Sequence, residues 1–278
     1  MSVRELITEH LDLWTGAVTK KSSSGRGSNG KVELTGVKKL RELILELAVR
    51  GKLVDQDPAD EPASVLLSRI KVKKEELVKL GKIKRPRSLP PITNEEAPSD
   101  LPPSWACARA GDFLNIEMGQ SPASKFYNQA EDGLPFFQGK ADFGDLYPTA
   151  RYWCTHPTKY AEVDDILLSV RAPVGPTNIS NISACIGRGL CALRPLAGVP
   201  PFMVLYMFRA IRSELESRAT GTTFAAVSRK DIETLVLRVP PLPEQHRIAQ
   251  KVDELMALCD RLEQQTSDQL EAHETLVD

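Results

Sequence analysis

The apolar positions of this chain change their period along its length, and each change marks a different kind of element. After a short apolar face at Leu6, Ile7, Leu11, Leu13 and Trp14, the residues Val37, Leu40, Leu43, Ile44, Leu47 and Ala48 recur at steps of three and four. That is the spacing of one face of an α-helix, and Gly51 supplies the residue a helix end prefers. A turn at Asp55-Gln56-Asp57-Pro58 follows, and Ser64 is placed to cap a further helix carrying Val65, Leu66, Leu67, Ile70, Leu77 and Leu80. Residues 22–30, nearly all Ser and Gly, separate the first two helix-like segments and hold too little apolar content to pack. They read as a flexible or ligand-ordered loop in a helical N-terminal region.

From about residue 99 to 240 the pattern becomes short apolar runs broken by Gly and Pro. Ile166-Leu167-Leu168-Ser169-Val170, Gly189-Leu190-Cys191-Ala192-Leu193 and Leu235-Val236-Leu237-Arg238-Val239 have strand length and strand composition. The run from Pro201 to Ile211 is long enough for a buried helix. After Pro240-Pro241-Leu242-Pro243, Glu244 can start a helix whose Ile248, Val252, Leu255, Met256, Leu258, Cys259 and Leu262 form one apolar side at heptad-like spacing. A lone helix cannot bury that side, so it is expected to pack on another helix of the chain or of a partner. The reading is α+β: a helical N-terminal region with a Ser/Gly loop and a basic linker (1–95), one mixed α/β domain (96–242) and a long, coiled-coil-like C-terminal helix (243–278).

Charge sharpens this picture where the total does not. The net charge is only −1, with 36 Lys and Arg against 37 Asp and Glu. Yet residues 71–87 carry Lys71, Lys73, Lys74, Lys79, Lys82, Lys84, Arg85 and Arg87 against Glu75 and Glu76 alone. Such a run can neutralise DNA phosphates or serve as a solvated helix face and linker. Residues 86–103, with Ser88-Leu89-Pro90-Pro91 and Leu101-Pro102-Pro103, cannot continue a helix and read as a semi-rigid connector. No apolar run reaches bilayer length and no signal-peptide core opens the chain, so the expected location is the cytoplasm.

The polar groups with recognition chemistry sit on loops of the middle region. Gly119-Gln120-Ser121-Pro122 with Lys125 and Tyr127, Gln138-Gly139-Lys140 after Phe136-Phe137, and Arg171 after a predicted strand offer amide, hydroxyl and cationic groups. Arg and Lys can bond guanine edges, Gln can pair with adenine, and Ser or Thr can serve bases or phosphates. Thr222 and Thr223 occupy a further Gly/Thr loop. The candidate DNA-contacting set is therefore Gln120, Ser121, Lys125, Gln138, Lys140, Arg171, Thr222 and Thr223, and the candidate helix-packing set is Ile248, Val252, Leu255, Leu258 and Leu262.

Motifs of catalysis are missing where they would be needed. Leu101-Pro102-Pro103-Ser104-Trp105 lacks the Asn or Asp that precedes the prolines of an adenine methyltransferase motif, and no Gly-x-x-x-x-Gly-Lys-Ser/Thr phosphate loop occurs. His10, His156, His246 and His273 lack metal-ligand spacing, as do the scattered Cys107, Cys154, Cys185, Cys191 and Cys259. No catalytic residue, metal ligand or bound cofactor is expected.

Several motifs in order resemble the specificity subunits of type I restriction-modification systems. They are the leader from Leu34-Thr35-Gly36-Val37 through Gly51-Lys52-Leu53-Val54, Gly119-Gln120-Ser121-Pro122, Asp165-Ile166-Leu167-Leu168-Ser169-Val170-Arg171, Gly221-Thr222-Thr223 and Pro241-Leu242-Pro243-Glu244-Gln245. The resemblance implies that residues 96–242 form a target recognition domain lying along the major groove of double-stranded DNA and reading one half of a split site. It also implies spacer helices that hold methyltransferase subunits, with restriction-translocase subunits as further partners, and S-adenosylmethionine and ATP bound on those partners. A full subunit of this kind has two recognition domains and two spacer helices, whereas 278 residues supply one of each. The chain is thus expected to be the N-terminal half of a longer subunit, or a half-subunit that homodimerises through its C-terminal helix and reads a palindromic split site. A protein interaction module, or an orphan or phage-type half-subunit that redirects another system's methyltransferase, is the alternative.

Overall fold

The computed structural model of the chain describes Trp14 and residues 16–20, 32–220 and 225–277. In chain order its elements begin with β1 (Val18–Lys20), β2 (Val32–Leu34), α1 (Thr35–Val49) and α2 (Ala63–Lys79). There follow β3 (Ala106–Arg109), α3 (Ala110–Phe113), β4 (Asn115–Met118), β5 (Tyr127–Asn128), β6 (Leu134–Phe137), β7 (Trp153–Cys154) and β8 (Tyr160–Ala161). Next come β9 (Ile166–Ser169), β10 (Thr177–Ile179), β11 (Ala184–Ile186), β12 (Leu190–Arg194), α4 (Pro201–Ala210), α5 (Arg212–Arg218), α6 (Arg229–Glu233), β13 (Val236–Val239) and α7 (Leu242–Val277). Mixed α and β content with a long C-terminal helix matches the class expected from the sequence.

The chain divides into two compact units, one of Met1–Asp55 with Arg247–Asp278 and one of Gln56–His246. This differs from boundaries at 95/96 and 242/243. The segment taken as a linker belongs to the larger unit because α2 buries Ala63, Leu66, Ile70 and Lys74 there. The start of α7 belongs to it as well, since Glu244 and Gln245 are fully buried. Glu244 accepts from Trp105 Nε1 at 2.9 Å and Gln56 Nε2 at 2.6 Å, and Gln245 Nε2 donates to Pro240 O at 2.9 Å. The Pro-Glu-Gln motif is therefore an internal fastening, and the helix begins at Leu242 rather than Glu244.

In the smaller unit, α1 buries Val37, Leu40, Ile44 and Ala48, and α7 buries Ile248, Val252, Leu255 and Cys259 while Leu258 and Leu262 are half-buried. Arg41 of α1 bonds Asp260 at 2.7 Å and Glu263 at 2.6 Å, which sets the two helices side by side. At the end of α1, Gly51 takes φ +68° while Lys52 N donates to Leu47 O at 2.9 Å, the bonding of a left-handed helix stop. The N-terminal region is not all helical: β1 pairs antiparallel with β2. Val18, Thr19 and the alternating Val32-Glu33-Leu34 favour extended backbone, a short signal easily lost beside a Ser/Gly stretch. That stretch, residues 22–30, lies outside the described residues.

The larger unit holds an antiparallel four-stranded sheet of order β10-β9-β12-β4, a mixed five-stranded sheet of order β5-β7-β6-β11-β8 and the pair β13-β3. Alternation along β6 separates two cores, because Phe137 packs with Leu167, Ala184, Ile186 and Leu190 while Phe136 packs with Cys154 and Cys185. Pro200 and Pro201 fix the entry to α4, whose Met203 to Phe208 are all buried. Ser64 does not cap α2: the cap position is Pro62, and Ala63 N instead donates to Ser104 O at 2.9 Å, a partner 41 residues away in the chain.

Lys74 is 7% exposed and donates to Gly111 O at 2.5 Å and Leu114 O at 2.8 Å, tying α2 to the segment that leads into β4. Burial pushes its pKa down from 10.5 to about 8, partly opposed by Asp112 and Glu233. Between those values the unfolded chain holds the proton and the folded chain does not, so stability rises with pH across that window. The difference in unfolding free energy between the wild type and Lys74→Met is expected to shift by up to about 3 kcal/mol in favour of the wild type from pH 8 to 10.5. Chemical denaturation at both pH values reads this, and a difference that stays flat would contradict it.

Candidate nucleic-acid interface

The polar loops converge on the turn between β11 and β12, residues 187–189. Gly187 N donates to Phe137 O at 2.8 Å, Gly119 N to Leu190 O at 2.9 Å, Gln120 N to Ile186 O at 3.0 Å, and Val170 N to Gly189 O at 2.9 Å. Arg188 N donates to Ser121 Oγ at 3.3 Å. Glycine is required by the closeness of these backbones. A Cβ on Gly119 would stand 2.1 Å from Gly187 O, and one on Gly189 would stand 2.4 Å from Gln138 O. Three loops distant in sequence thus meet at one turn, which places Gln120, Ser121, Gln138 and Arg171 around it.

Each of these loops is fastened from behind. Asp142, 3% exposed, accepts from Gln138 N at 2.6 Å and Gly139 N at 3.3 Å and pairs with Arg151 at 2.7 Å, which fixes the turn carrying Gln138 and Lys140. Ser169 Oγ donates to Arg171 O at 3.1 Å and Pro173 O at 2.8 Å, fixing the turn that carries Arg171. Thr158 Oγ1 donates to Gln120 O at 3.1 Å. Arg171 also pairs with Ala226, and Val227 N donates to Val170 O at 3.0 Å, so the chain flanking residues 221–224 meets the same hub. Thr222 and Thr223 themselves lie outside the described residues.

The acids near the hub are consumed internally. Glu117 pairs with Lys159, Asp142 with Arg151, and Asp165 holds Arg194 through two bonds of 2.8 and 2.9 Å. Lys140, Arg171 and Arg188 are exposed and form no ion pair with any described residue. Lys125 stands apart on its own turn, with Nζ 5.0 Å from the centre of the Phe126 ring, which stacks on His156 at 4.2 Å. The surface therefore offers free cations, amides and hydroxyls on a braced scaffold, the groups that bond phosphate oxygens and base edges.

Arg188 was absent from the sequence-derived set. Gly187-Arg188-Gly189, a Gly-rich turn signature ahead of a strand-like run, is the signal that could have found it. Asp142 and Ser169 were also missed, because their work is on backbone atoms of their neighbours. Asp142→Asn is expected to lower the ratio of affinities for a recognised over a random duplex about fivefold, the worth of one lost backbone bond. The substitution removes a negative charge and would by electrostatics alone tighten binding to both. An unchanged or increased ratio in a titration of the two duplexes would contradict the positioning role.

Among the described residues there is no group of three or more His, Cys, Asp or Glu arranged to hold a metal ion, and no helix long and apolar enough to cross a membrane. All five cysteines are free.

Residues 102–272 match the sequence profile described as the type I restriction modification DNA specificity domain. The chain is 38% identical over 291 residues to the type I restriction enzyme EcoAI specificity subunit of Escherichia coli, covering 100% of this chain and 49% of that protein. It is 38% identical over 297 residues to the EcoEI specificity subunit of the same organism, again covering 100% of this chain and 49% of the relative. The chain thus spans about half the length of the curated relatives it matches. Among solved structures, the HsdS subunit from Thermoanaerobacter tengcongensis aligns over 96% of this chain and 66% of its own, with TM-score 0.57 and 32% identity. A chain from a structure on complex assembly and conformational transition of the type I R-M system aligns over 98% and 66%, with TM-score 0.60 and 32% identity. With the profile covering most of the chain, including every loop that meets the hub, this protein belongs to the type I restriction-modification DNA specificity domain family.

Proposed function

We propose that the chain reads one half of a split DNA target for a type I restriction-modification complex, through the loops gathered at residues 187–189. The carrying observation is that these loops meet at one hub, with their acids paired internally and Lys140, Arg171 and Arg188 left exposed and uncompensated. In this reading the chain is not catalytic and binds no cofactor; S-adenosylmethionine and ATP are handled by methyltransferase and restriction subunits that dock on it. The helices α1 and α7 supply the spacer and docking element, and the complex works in the cytoplasm. Spanning half the length of its relatives favours either a half of a longer subunit or a half-subunit that pairs with a second copy.

Sequencing for adenine methylation tests this in cells expressing a compatible methyltransferase subunit with and without the chain. A split motif that appears only with the chain is the expected result, and a palindromic motif assigns the homodimer. Complex formation with no new motif would overturn the reading and favour an interaction module.

A further inference from the structure

The charge segregation of the chain marks a second surface, separate from the hub. Residues 71–87 carry a net charge of +6 from eight cations and two acids, which leaves −7 for the rest of a chain whose total is −1. The structure sorts these cations by task. Lys74 is buried on carbonyl oxygens and Lys73 pairs with Glu76 at 3.1 Å. Lys71, Lys79, Lys82, Lys84, Arg85 and Arg87 are exposed and form no ion pair with any described residue. Lys71, Lys79 and Arg85 line one open cleft of about 860 Å³, together with only two acids, Glu75 and Asp112.

The segment is held in shape at both ends. Gly81, with φ +68°, ends α2, and Lys82 N donates to Leu77 O at 2.9 Å. Downstream, all five donors of Arg109 are used: Nε to Pro90 O at 3.1 Å, the two terminal nitrogens to both oxygens of Glu96 at 2.7 and 2.8 Å, and to Pro91 O and Thr234 O. A fixed row of uncompensated cations loses little conformational freedom on meeting a polyanion. The row and the hub belong to the same compact unit. Lys74 is anchored on Leu114 O, and the single strand β4 leads from there to Gly119 at the hub, which ties α2 to the scaffold that carries the recognition loops.

We infer that α2 and the basic strap after it bind the sugar-phosphate backbone of the same duplex the hub reads, supplying sequence-independent affinity. This rests on the proposed DNA reading and adds to it a distinct surface with a distinct signature. Exposed Val72 and Leu80 on α2 allow a protein partner instead, and the test separates the two.

The test uses the whole chain with Lys82, Lys84, Arg85 and Arg87 all replaced by Gln, and a random-sequence duplex titrated over a salt series. The magnitude of the negative slope of log affinity against log salt is expected to decrease by about 3.6, with the ratio of affinities for recognised over random duplex unchanged. A second variant replaces the ion-paired Arg50, Arg212, Arg229 and Lys251 with Gln and changes net charge equally. It is expected to leave the slope nearly as it was. An unchanged slope in the first variant, or an equal fall in both, overturns the inference, as does loss of methyltransferase association with the DNA slope intact. Failure of the wild type to bind any duplex would instead overturn the DNA reading itself.

Discussion

Arg171→Ala is expected to weaken binding to the recognised duplex by about tenfold to a hundredfold, with a much smaller effect on a random duplex. The size follows from what one good bidentate contact to a base pair contributes, about 1–3 kcal/mol. Arg171 is exposed and makes no ion pair with any described residue, while its backbone is held by Ser169 and by Ala226. Removing its side chain therefore takes away a cation without loosening the turn, and melting temperature is expected to hold within about 1 °C. Arg188→Ala should behave in the same way, because its link to Ser121 runs through its backbone nitrogen. Equal losses on recognised and random duplexes would make both residues phosphate contacts, and no loss on either would remove them from the interface.

The largest expected effect on stability lies at Arg109, whose side chain is 5% exposed. Arg109→Met would strip partners from the carbonyls of Pro90, Pro91 and Thr234 and from both oxygens of Glu96 at once. About 3 kcal/mol of stability is expected to go, lowering the melting temperature by about 10 °C. Arg109→Lys should not restore it, since one ammonium cannot span five acceptors set for a planar fork. The Arg109 guanidinium also holds the Glu96 carboxyl down at about 2, with Thr93 N assisting, from an ordinary value of 4.5. A depressed carboxylate stabilises the fold above its unfolded pKa and loses that contribution as pH falls through its folded one. The strap is thus expected to loosen between pH 4.5 and 2, seen as proteolytic cleavage within residues 86–103 that the Arg109→Met variant already shows at neutral pH.

The elements were more legible than their partnerships. The periodic apolar faces of α1, α2 and α7 could be read because a helix repeats its signal over several turns. Strands β9, β12 and β13 could be read because their runs are continuous and apolar. The pairing of β1 with β2 was lost because three residues a side give almost no period. The cap of α2 was misassigned to Ser64 because the true partner of its first amide is the carbonyl of Ser104, which no local pattern announces.

The same distinction runs through the candidate interface. Gln120, Ser121, Gln138 and Arg171 were legible as polar groups on Gly and Pro loops, and backbone bonds to one β-turn bring them together. That gathering depends on pairings between segments dozens of residues apart, so the hub and Arg188 at its centre were not foreseen. Conversely, Glu244 and Gln245 stood out as a family motif, yet both are fully buried and fasten the start of α7. Conspicuous residues can be conspicuous for packing.

Enrichment of the purified chain's preferred duplexes from a pool with randomised sequence tests base reading most directly. A short fixed motif is predicted, one that is lost at individual positions when Arg171 or Arg188 is replaced by Ala and kept when the four strap cations become Gln. Retention of duplexes with no enriched motif, at affinities that follow salt alone, would contradict the claim that these loops read DNA sequence.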